Sequence, residues 1–257
     1  MFGITVRTFR RLETKQVENK EEIRAFFDAC SHEYADQHGR SERLLKDRIA
    51  LIKRVTRPES HHVVLDLGCG IGHYLMALAG DIGRGVGIDF SHSMIKAAKK
   101  RVSKSPWREK LEFRIDDAEE LQTISNASVD MVMCMGALEH IPKRDAVLSS
   151  ANRVLKRGGQ IVLMTPNGGY VWYQFMAPVF RFDTQHLSTD QFLEAQTIAY
   201  LLSQADFTDV SYSWWTFIPR GDMHPMFSGF LLLLDWLGKF FHIPGFRGGL
   251  IATARKP

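Results

Sequence analysis

The chain has 257 residues, 45% of them hydrophobic and 24% charged, which is enough apolar mass to close one sizeable core and excludes a disordered or fibrous protein. Its 33 Lys and Arg against 29 Asp and Glu leave a formal charge of +4, a mild excess spread along the chain that is too weak to argue for a nucleic-acid partner, and none is expected. The cysteines Cys30, Cys69 and Cys134 are odd in number and widely spaced, which excludes a disulfide framework, offers no metal-ligand spacing and points to a reducing, cytoplasmic setting.

Met1 to Leu12 carries Arg7, Arg10 and Arg11 without an apolar run, so it does not read as a signal peptide. From Lys20 to Val55 apolar residues return at helical spacing: Ile23, Phe26 and Phe27, then Leu44, Leu45, Ile49 and Ile52, with a break at Gly39 and Ser41. Two helices are expected there. After Pro58 short β-branched runs alternate with helical patterns, the signature of a parallel sheet. Strands are expected at Val63–Leu67, Gly85–Asp89, Leu111–Ile115, Val129–Met135, Gln160–Thr165, Asp209–Trp215 and Leu250–Ala254. The helices between them are Gly72–Ala79, Ser93–Val102, Arg144–Leu155 and Gln191–Gln204, the last capped by Ser188 or Thr189. Two segments fit no simple crossover: the aromatic-rich stretch Pro166 to Thr184 and the stretch Ile218 to Gly249. Such insertions sit over the site end of a sheet. The apolar run Met226 to Phe241 contains Asp235 and Lys239 and falls short of the roughly 20 residues of a membrane span.

The most informative stretch is Val63-Val64-Leu65-Asp66-Leu67-Gly68-Cys69-Gly70-Ile71-Gly72, a buried strand running into a glycine turn and then a helix, which brings backbone close to a ligand. The dinucleotide fingerprint needs glycine at 73, where the chain has His73, so a nicotinamide oxidoreductase is disfavoured. Asp89 ends the next strand 17 positions after Gly72, a spacing suited to a carboxylate that accepts both hydroxyls of a ribose. A nucleoside-bearing cofactor follows.

Four stretches within Val63 to Asn167 carry a resemblance. They are Asp66-x-Gly68-x-Gly70-x-Gly72; Gly87-Ile88-Asp89-Phe90-Ser91; Asp116-Asp117-Ala118; and Val129 to Ile141 followed by Leu155-Lys156-Arg157-Gly158-Gly159-Gln160-Ile161. In that order the sequence resembles the class I S-adenosylmethionine-dependent methyltransferases. The resemblance implies an α/β fold: a seven-stranded, Rossmann-like, mostly parallel sheet with helices on both faces and an antiparallel last strand. Residues 1–257 then form one domain: a helical lid over 1–60, a cofactor-binding half over 61–165, and a substrate-side half over 166–257 with an apolar insert at 218–249.

The resemblance also implies S-adenosyl-L-methionine as cofactor and S-adenosyl-L-homocysteine as product. Asp66, Gly68, Cys69, Gly70 and Gly72 would meet its methionine end, with Asp66 alternatively organising the turn. Asp89 would hold the ribose, and Phe90 and Met94 would flank the adenine unless they are core. Asp117 would read the adenine amino group beside Ala118, with Asp116 as competitor. Met135 and Gly136 would close the site at the end of the fourth strand.

A sulfonium methyl is already activated, so the protein must chiefly align the acceptor. A hydroxyl acceptor also needs a base, and a histidine with an ordinary pKa of about 6.5 is mostly neutral at pH 7. His140, at the carboxyl end of the fourth strand, and His186, in Asp183-Thr184-Gln185-His186-Leu187-Ser188, are the candidates. Each also has a structural reading, His140 as a helix-start residue and His186 as a hydrogen-bonding one. Tyr34 and His38 would face the substrate if the N-terminal helices close as a lid. The Asn-Pro-Pro-Tyr-type tetrapeptide of nucleic-acid methyltransferases is absent after the fourth strand, where Gly136-Ala137-Leu138-Glu139 stands, and no metal is expected. The run Lys96, Lys99, Lys100, Arg101 and Lys104 reads as a solvated helix face. The segment 227–246 roofs an apolar acceptor pocket, touches a membrane surface, or forms a buried helix or dimer interface. The expected activity is methyl transfer to the oxygen of a small, fairly apolar acceptor. The alternatives are carbon methylation of a quinone-like ring, methylation of RNA or protein, and a cofactor-binding module without activity.

Overall fold

A computed structural model describes residues 14–38, 42–217 and 225–257. The stretch Met1 to Leu12, the break at Gly39 and Ser41 and the start of the insertion at Ile218 lie outside the described residues.

In chain order the elements are α1 (Lys20–His38), α2 (Glu42–Thr56), β1 (Val63–Leu67), α3 (His73–Leu78), β2 (Arg84–Asp89), α4 (His92–Val102), β3 (Leu111–Ile115) and β4 (Val129–Met135). A 3-10 turn at Leu138–His140 leads to α5 (Arg144–Val154) and β5 (Leu155–Pro166). A π-helical turn at Trp172–Met176 runs into the short α6 (Ala177–Val179), followed by α7 (Ala195–Gln204), β6 (Thr208–Trp215), α8 (Pro225–Phe240) and β7 (Gly249–Arg255). The strands form one sheet in the order β3-β2-β1-β4-β5-β7-β6, with β7 antiparallel to both of its neighbours.

The strand sequences are apolar on successive residues because both faces of the sheet are covered. Leu65 and Leu67 of β1, Val132 and Cys134 of β4 and Ile161 and Leu163 of β5 pack on one side with Val147 and Leu148 of α5 and Ile198 and Leu202 of α7. The intervening Val64, Met131, Met133, Val162 and Met164 pack on the other side with Ile52 of α2, Leu75 and Leu78 of α3 and Ile95 and Ala98 of α4. This two-sided burial is the main source of hydrophobic stabilisation.

Helix α1 lies across the carboxyl end of the sheet. Asp28 Oδ1 accepts from Ser91 Oγ at 2.6 Å and from the Ser93 amide at 2.9 Å, and Ser91 caps α4 by accepting from the Met94 amide at 3.1 Å. The residues before α1 pair with the loop that precedes α7: the Lys15 amide donates to His186 O and the Ser188 amide to Lys15 O, both at 2.9 Å. Tyr34 and His38 fall in the last turns of α1, and their side chains lie outside the described residues.

The expected start of α7 at Gln191 is corrected to Ala195, with Glu194 at the cap position. Ser188 and Thr189 do not cap it. The Ser188 hydroxyl is taken by the main chain of Val17, so a long-range contact replaces the local one. Among the described residues, no helix is long and apolar enough to cross a membrane.

Candidate active site

The chain leaves β1 toward β2 and β3 on one side, and β4 leads to β5 on the other, so the adjacent carboxyl ends of β1 and β4 form the crevice where open α/β sheets bind ligands. The turns after these two strands touch. Gly68 has φ +64°, and a Cβ there would stand 2.5 Å from Ala137 Cβ; only glycine fits both the conformation and the space. Gly72 has φ +79° at the start of α3, and a Cβ there would come within 2.6 Å of the Phe113 ring.

Asp89 closes β2 facing this turn and is buried. Its Oδ2 accepts from the Gly70 amide and its Oδ1 from the Ser91 amide, both at 2.9 Å. Burial pushes this carboxyl up to about 6, and the two amides offset part of that rise. A cleft of about 690 Å³, counting its open mouth, runs from here. Gly68, Gly70, Asp89, Phe90, Met94, Asp117, Ala118, Gly136 and His140 border it.

The remaining candidates stand elsewhere. Asp66, Cys69, Gly72 and Met135 lie beneath the cleft wall and do not border it. Asp66 is fully buried, its carboxyl held well above the ordinary range by burial and then by the charge of Asp89, and its Oδ2 has no hydrogen-bond partner among the described residues. Burial likewise pushes the Cys69 thiol up. Cys69 and Met135 instead join the core with Val64 and Leu75, and Asp66 points into the sheet because β1 turns alternate side chains to its two covered faces.

Of the two neighbouring acids, Asp116 also borders the cleft but spends its oxygens on the loop after β3: Oδ1 accepts from the Asp117 amide at 2.8 Å, and Oδ2 from the Thr123 amide at 2.8 Å and the Thr123 hydroxyl at 2.6 Å. Asp117 Oδ2 pairs with Lys20 Nζ from α1, and the same ammonium reaches Glu119 Oε2 at 2.7 Å.

His140 forms the opposite wall. Its Nδ1 lies 2.7 Å from Oδ1 of Asp190, whose side chain is wholly buried. Asp190 Oδ2 accepts from the amides of His186 at 2.9 Å and Leu187 at 3.0 Å. Burial opposes the imidazolium, but the hydrogen bond to Asp190 and the nearby Glu139 outweigh it, so the pKa of His140 rises above its ordinary value. The Asp190 carboxyl, despite burial, is lowered by the same contact. The Phe27 ring meets the imidazole edge-on at 5.3 Å between centroids. His186 stands behind: its ring is 6.1 Å from that of His140, it is exposed, and it does not border the cleft.

Sequence reasoning missed Lys20, Ile23 and Phe27 of α1 and Ala137, Ile141 and Pro142 after β4, all of which border the cleft. The apolar period of α1 marks Ile23 and Phe27 as inward-facing but not what they face. It also missed Asp190, for which no local pattern exists, since its partner is 50 positions away.

The glycine turn with no room for side chains, the ionisable Asp89 at hydroxyl-binding spacing and the apolar flank of Phe90 and Met94 form a donor and acceptor set that fits a nucleoside. With the strand order above, they define the class I methyltransferase architecture. The family model for a methyltransferase domain matches residues 58–211, more than half of the chain, and the chain belongs to that family. It is 33% identical over 104 residues to the ubiquinone biosynthesis O-methyltransferase of Xanthomonas oryzae pv. oryzae (strain PXO99A), a match that covers 40% of this chain and 43% of that protein. The protein of the same name from Idiomarina loihiensis is 31% identical over 158 residues, 60% of this chain and 63% of that protein. The chain therefore spans less than two thirds of the length of these relatives. Phosphoethanolamine N-methyltransferase 2 of Haemonchus contortus, solved with S-adenosyl-L-methionine, shares the fold at a TM-score of 0.60 and 20% identity over 82% of this chain and 52% of that one.

Proposed function

We propose that the chain binds S-adenosyl-L-methionine in this cleft and transfers its methyl group to the oxygen of a small, fairly apolar acceptor in the cytoplasm, with His140 as the base. The observation that carries this reading is the contact between His140 and the wholly buried Asp190 carboxylate, 2.7 Å apart, on the wall facing the glycine turn. The names of the relatives, O-methyltransferases, support the same acceptor atom.

When bound, the cofactor supplies an electrophilic sulfonium methyl and departs as S-adenosyl-L-homocysteine. The close backbone of the turn at Gly68 would receive its amino-acid end, the Asp89 carboxylate would accept from both ribose hydroxyls beside the Gly70 amide it already holds, Phe90 and Met94 would flank the adenine, and Asp117, held by Lys20, would accept from the adenine amino group. Asp190 accepts from Nδ1–H of His140, which leaves Nε2 as the nitrogen with an open lone pair. That nitrogen takes the proton of the acceptor hydroxyl as the oxygen attacks. Ile23, Phe27, Ile141 and Pro142 give the cleft its apolar lining and favour an acceptor with an aromatic or aliphatic body.

The test is calorimetry with S-adenosyl-L-methionine, followed by transfer of a labelled methyl group to a pool of small metabolites. Binding, and a labelled methyl ether identified by NMR, are expected. No binding, or label on carbon, nitrogen, RNA or protein, overturns the reading.

A further inference from the structure

The amino ends of β1, β4 and β5 open on a second cavity, at the opposite end of the sheet from the cleft. It measures about 1120 Å³ counting its open mouth, against about 690 Å³ for the cleft. The start of β5 shapes it. In the ladder with β4, Val129 faces Leu155 and Met131 faces Gln160, so Lys156, Arg157, Gly158 and Gly159 stand opposite the single residue Asp130. Such a bulge bends the strand and re-aims its side chains. Asp130 anchors it: Oδ1 accepts from Lys156 Nζ and Oδ2 from the Val63 amide, both at 2.8 Å. Gln160 Nε2 donates to Thr56 O at 2.6 Å, which brings the last turn of α2 to the rim.

Four arginines from separate segments border this cavity: Arg54 in the last turn of α2, Arg57 just after it, Arg157 in the bulge and Arg255 at the end of β7. All four are exposed, and none meets a carboxylate among the described residues. Arg255 Nη1 donates only to the main chain, to Gly158 O at 3.1 Å. Of the two acids on the border, Asp130 is taken by Lys156 and Glu59 lies 3.7 Å from His61. Arg57 has φ +48°, the left-handed conformation in which helices usually end on glycine, and its amide closes α2 by donating to Lys53 O at 2.9 Å. An arginine in a place that suits glycine adds strain to the backbone, and here it adds a further cation to the border.

We propose that this cavity binds a small, compact molecule bearing two or more phosphate groups. Guanidinium groups gathered in one concavity without counter-charges favour a polyvalent anion, and their planar donors match phosphate oxygens in pairs. The lining sets the kind of molecule. It holds no Phe, Tyr or Trp, and its one ring, His62, accepts at Nδ1 from the Glu59 amide at 3.1 Å. Bases of a single-stranded nucleic acid bind by stacking on aromatic side chains, and this border offers no such platform. The site does not rest on the methyl-transfer reading, because it stands at the other end of the sheet and needs neither cofactor nor turnover.

The full-length chain is titrated in a calorimeter with phosphate, pyrophosphate and tripolyphosphate, and separately with hexaglutamate and a short single-stranded RNA. One site is expected, with affinity rising at least about tenfold from phosphate to tripolyphosphate and falling with added salt. The double substitution Arg57→Gly with Arg157→Ser is expected to lower the affinity for tripolyphosphate at least about tenfold. The circular dichroism spectrum and unfolding midpoint should hold, because glycine suits the left-handed backbone at 57. Should that variant misfold, Arg54→Ser with Arg255→Ser is expected to give the same loss. The proposal is overturned if tripolyphosphate does not bind at millimolar concentration or if its affinity is indifferent to both pairs of substitutions. Hexaglutamate or RNA binding as tightly as tripolyphosphate, through the same arginines, overturns it as well.

Discussion

The two walls of the cleft are built in different ways. The wall after β1 and β2 is mainly backbone: Asp89 accepts amides from Gly70 and Ser91, and Gly68 leaves room for Ala137 of the turn after β4. The facing wall is assembled from segments far apart. Lys20 meets Asp117 across 97 positions, the Val17 amide meets Ser188 Oγ across 171, and His140 meets Asp190 across 50. A wall of backbone and buried glycines presents one geometry. A wall made of a helix and a loop joined by side chains depends on those joints, and its chemistry is exposed to single substitutions that leave the first wall intact.

The sharpest test of this contrast is His140→Ala. It is expected to lower kcat by roughly 10²- to 10⁴-fold, the range for loss of a general base, while calorimetry gives a cofactor affinity within about threefold of the parent. A loss below about tenfold would remove His140 as base.

Gly68→Ala attacks the other wall. The left-handed backbone costs about 1–2 kcal/mol with a Cβ and the overlap with Ala137 about 1–3 kcal/mol more. Denaturant unfolding should therefore register a loss of stability of about 2–5 kcal/mol, together with weakened cofactor binding; an unchanged midpoint would show that the two turns are not in contact.

Asp89 supplies a pH dependence to the first wall. Its carboxyl titrates near 6, and only the ionised form accepts two hydroxyls, so cofactor affinity is expected to hold at pH 7 and to fall about tenfold per pH unit below that value. Calorimetry between pH 5 and 8 should find no such fall in Asp89→Asn.

Asp190→Asn tests the joint of the second wall. In the parent, His140 is raised above its ordinary value, so activity that needs the neutral imidazole is lost as pH falls through a value above about 6.5. Without the Asp190 carboxylate, Glu139 is left to oppose burial of the charged ring, and the acid limb of kcat/KM should move to lower pH. The stabilisation that the charged pair lends the fold has the opposite sense: it is complete below about pH 6.5 and fades as pH rises through the folded value. The smallest effect is expected from Lys20→Ala, a few-fold rise in cofactor Kd, because this ammonium is about a third exposed and screened.

Leu65, Val132 and Ile161 announce their strands because a sheet buried on both faces leaves a run of apolar residues that local sequence can show. Gly68, Gly70 and Asp89 announce the first wall for a similar reason: a tight turn and the carboxylate after the next strand need particular residue types at short spacing. The α7 boundary was misread because Ser188, which has the chemistry of a helix cap, is drawn instead to Val17 by folding. The choice between Asp116 and Asp117 was likewise closed to the sequence, since both acids have the same local setting and differ in which hydrogen bonds the folded loop and α1 make with them.

Sequence alone determined the strand frame and the residues that approach the ligand through backbone, because their conformational demands are local. Tertiary structure alone decided that Asp190 would hold His140, that Lys20 would reach Asp117 and that Arg57, Arg157 and Arg255 would border one cavity. Those outcomes depend on which distant segments meet, and a partner 50 or more positions away leaves no periodic trace beside the residue it will hold.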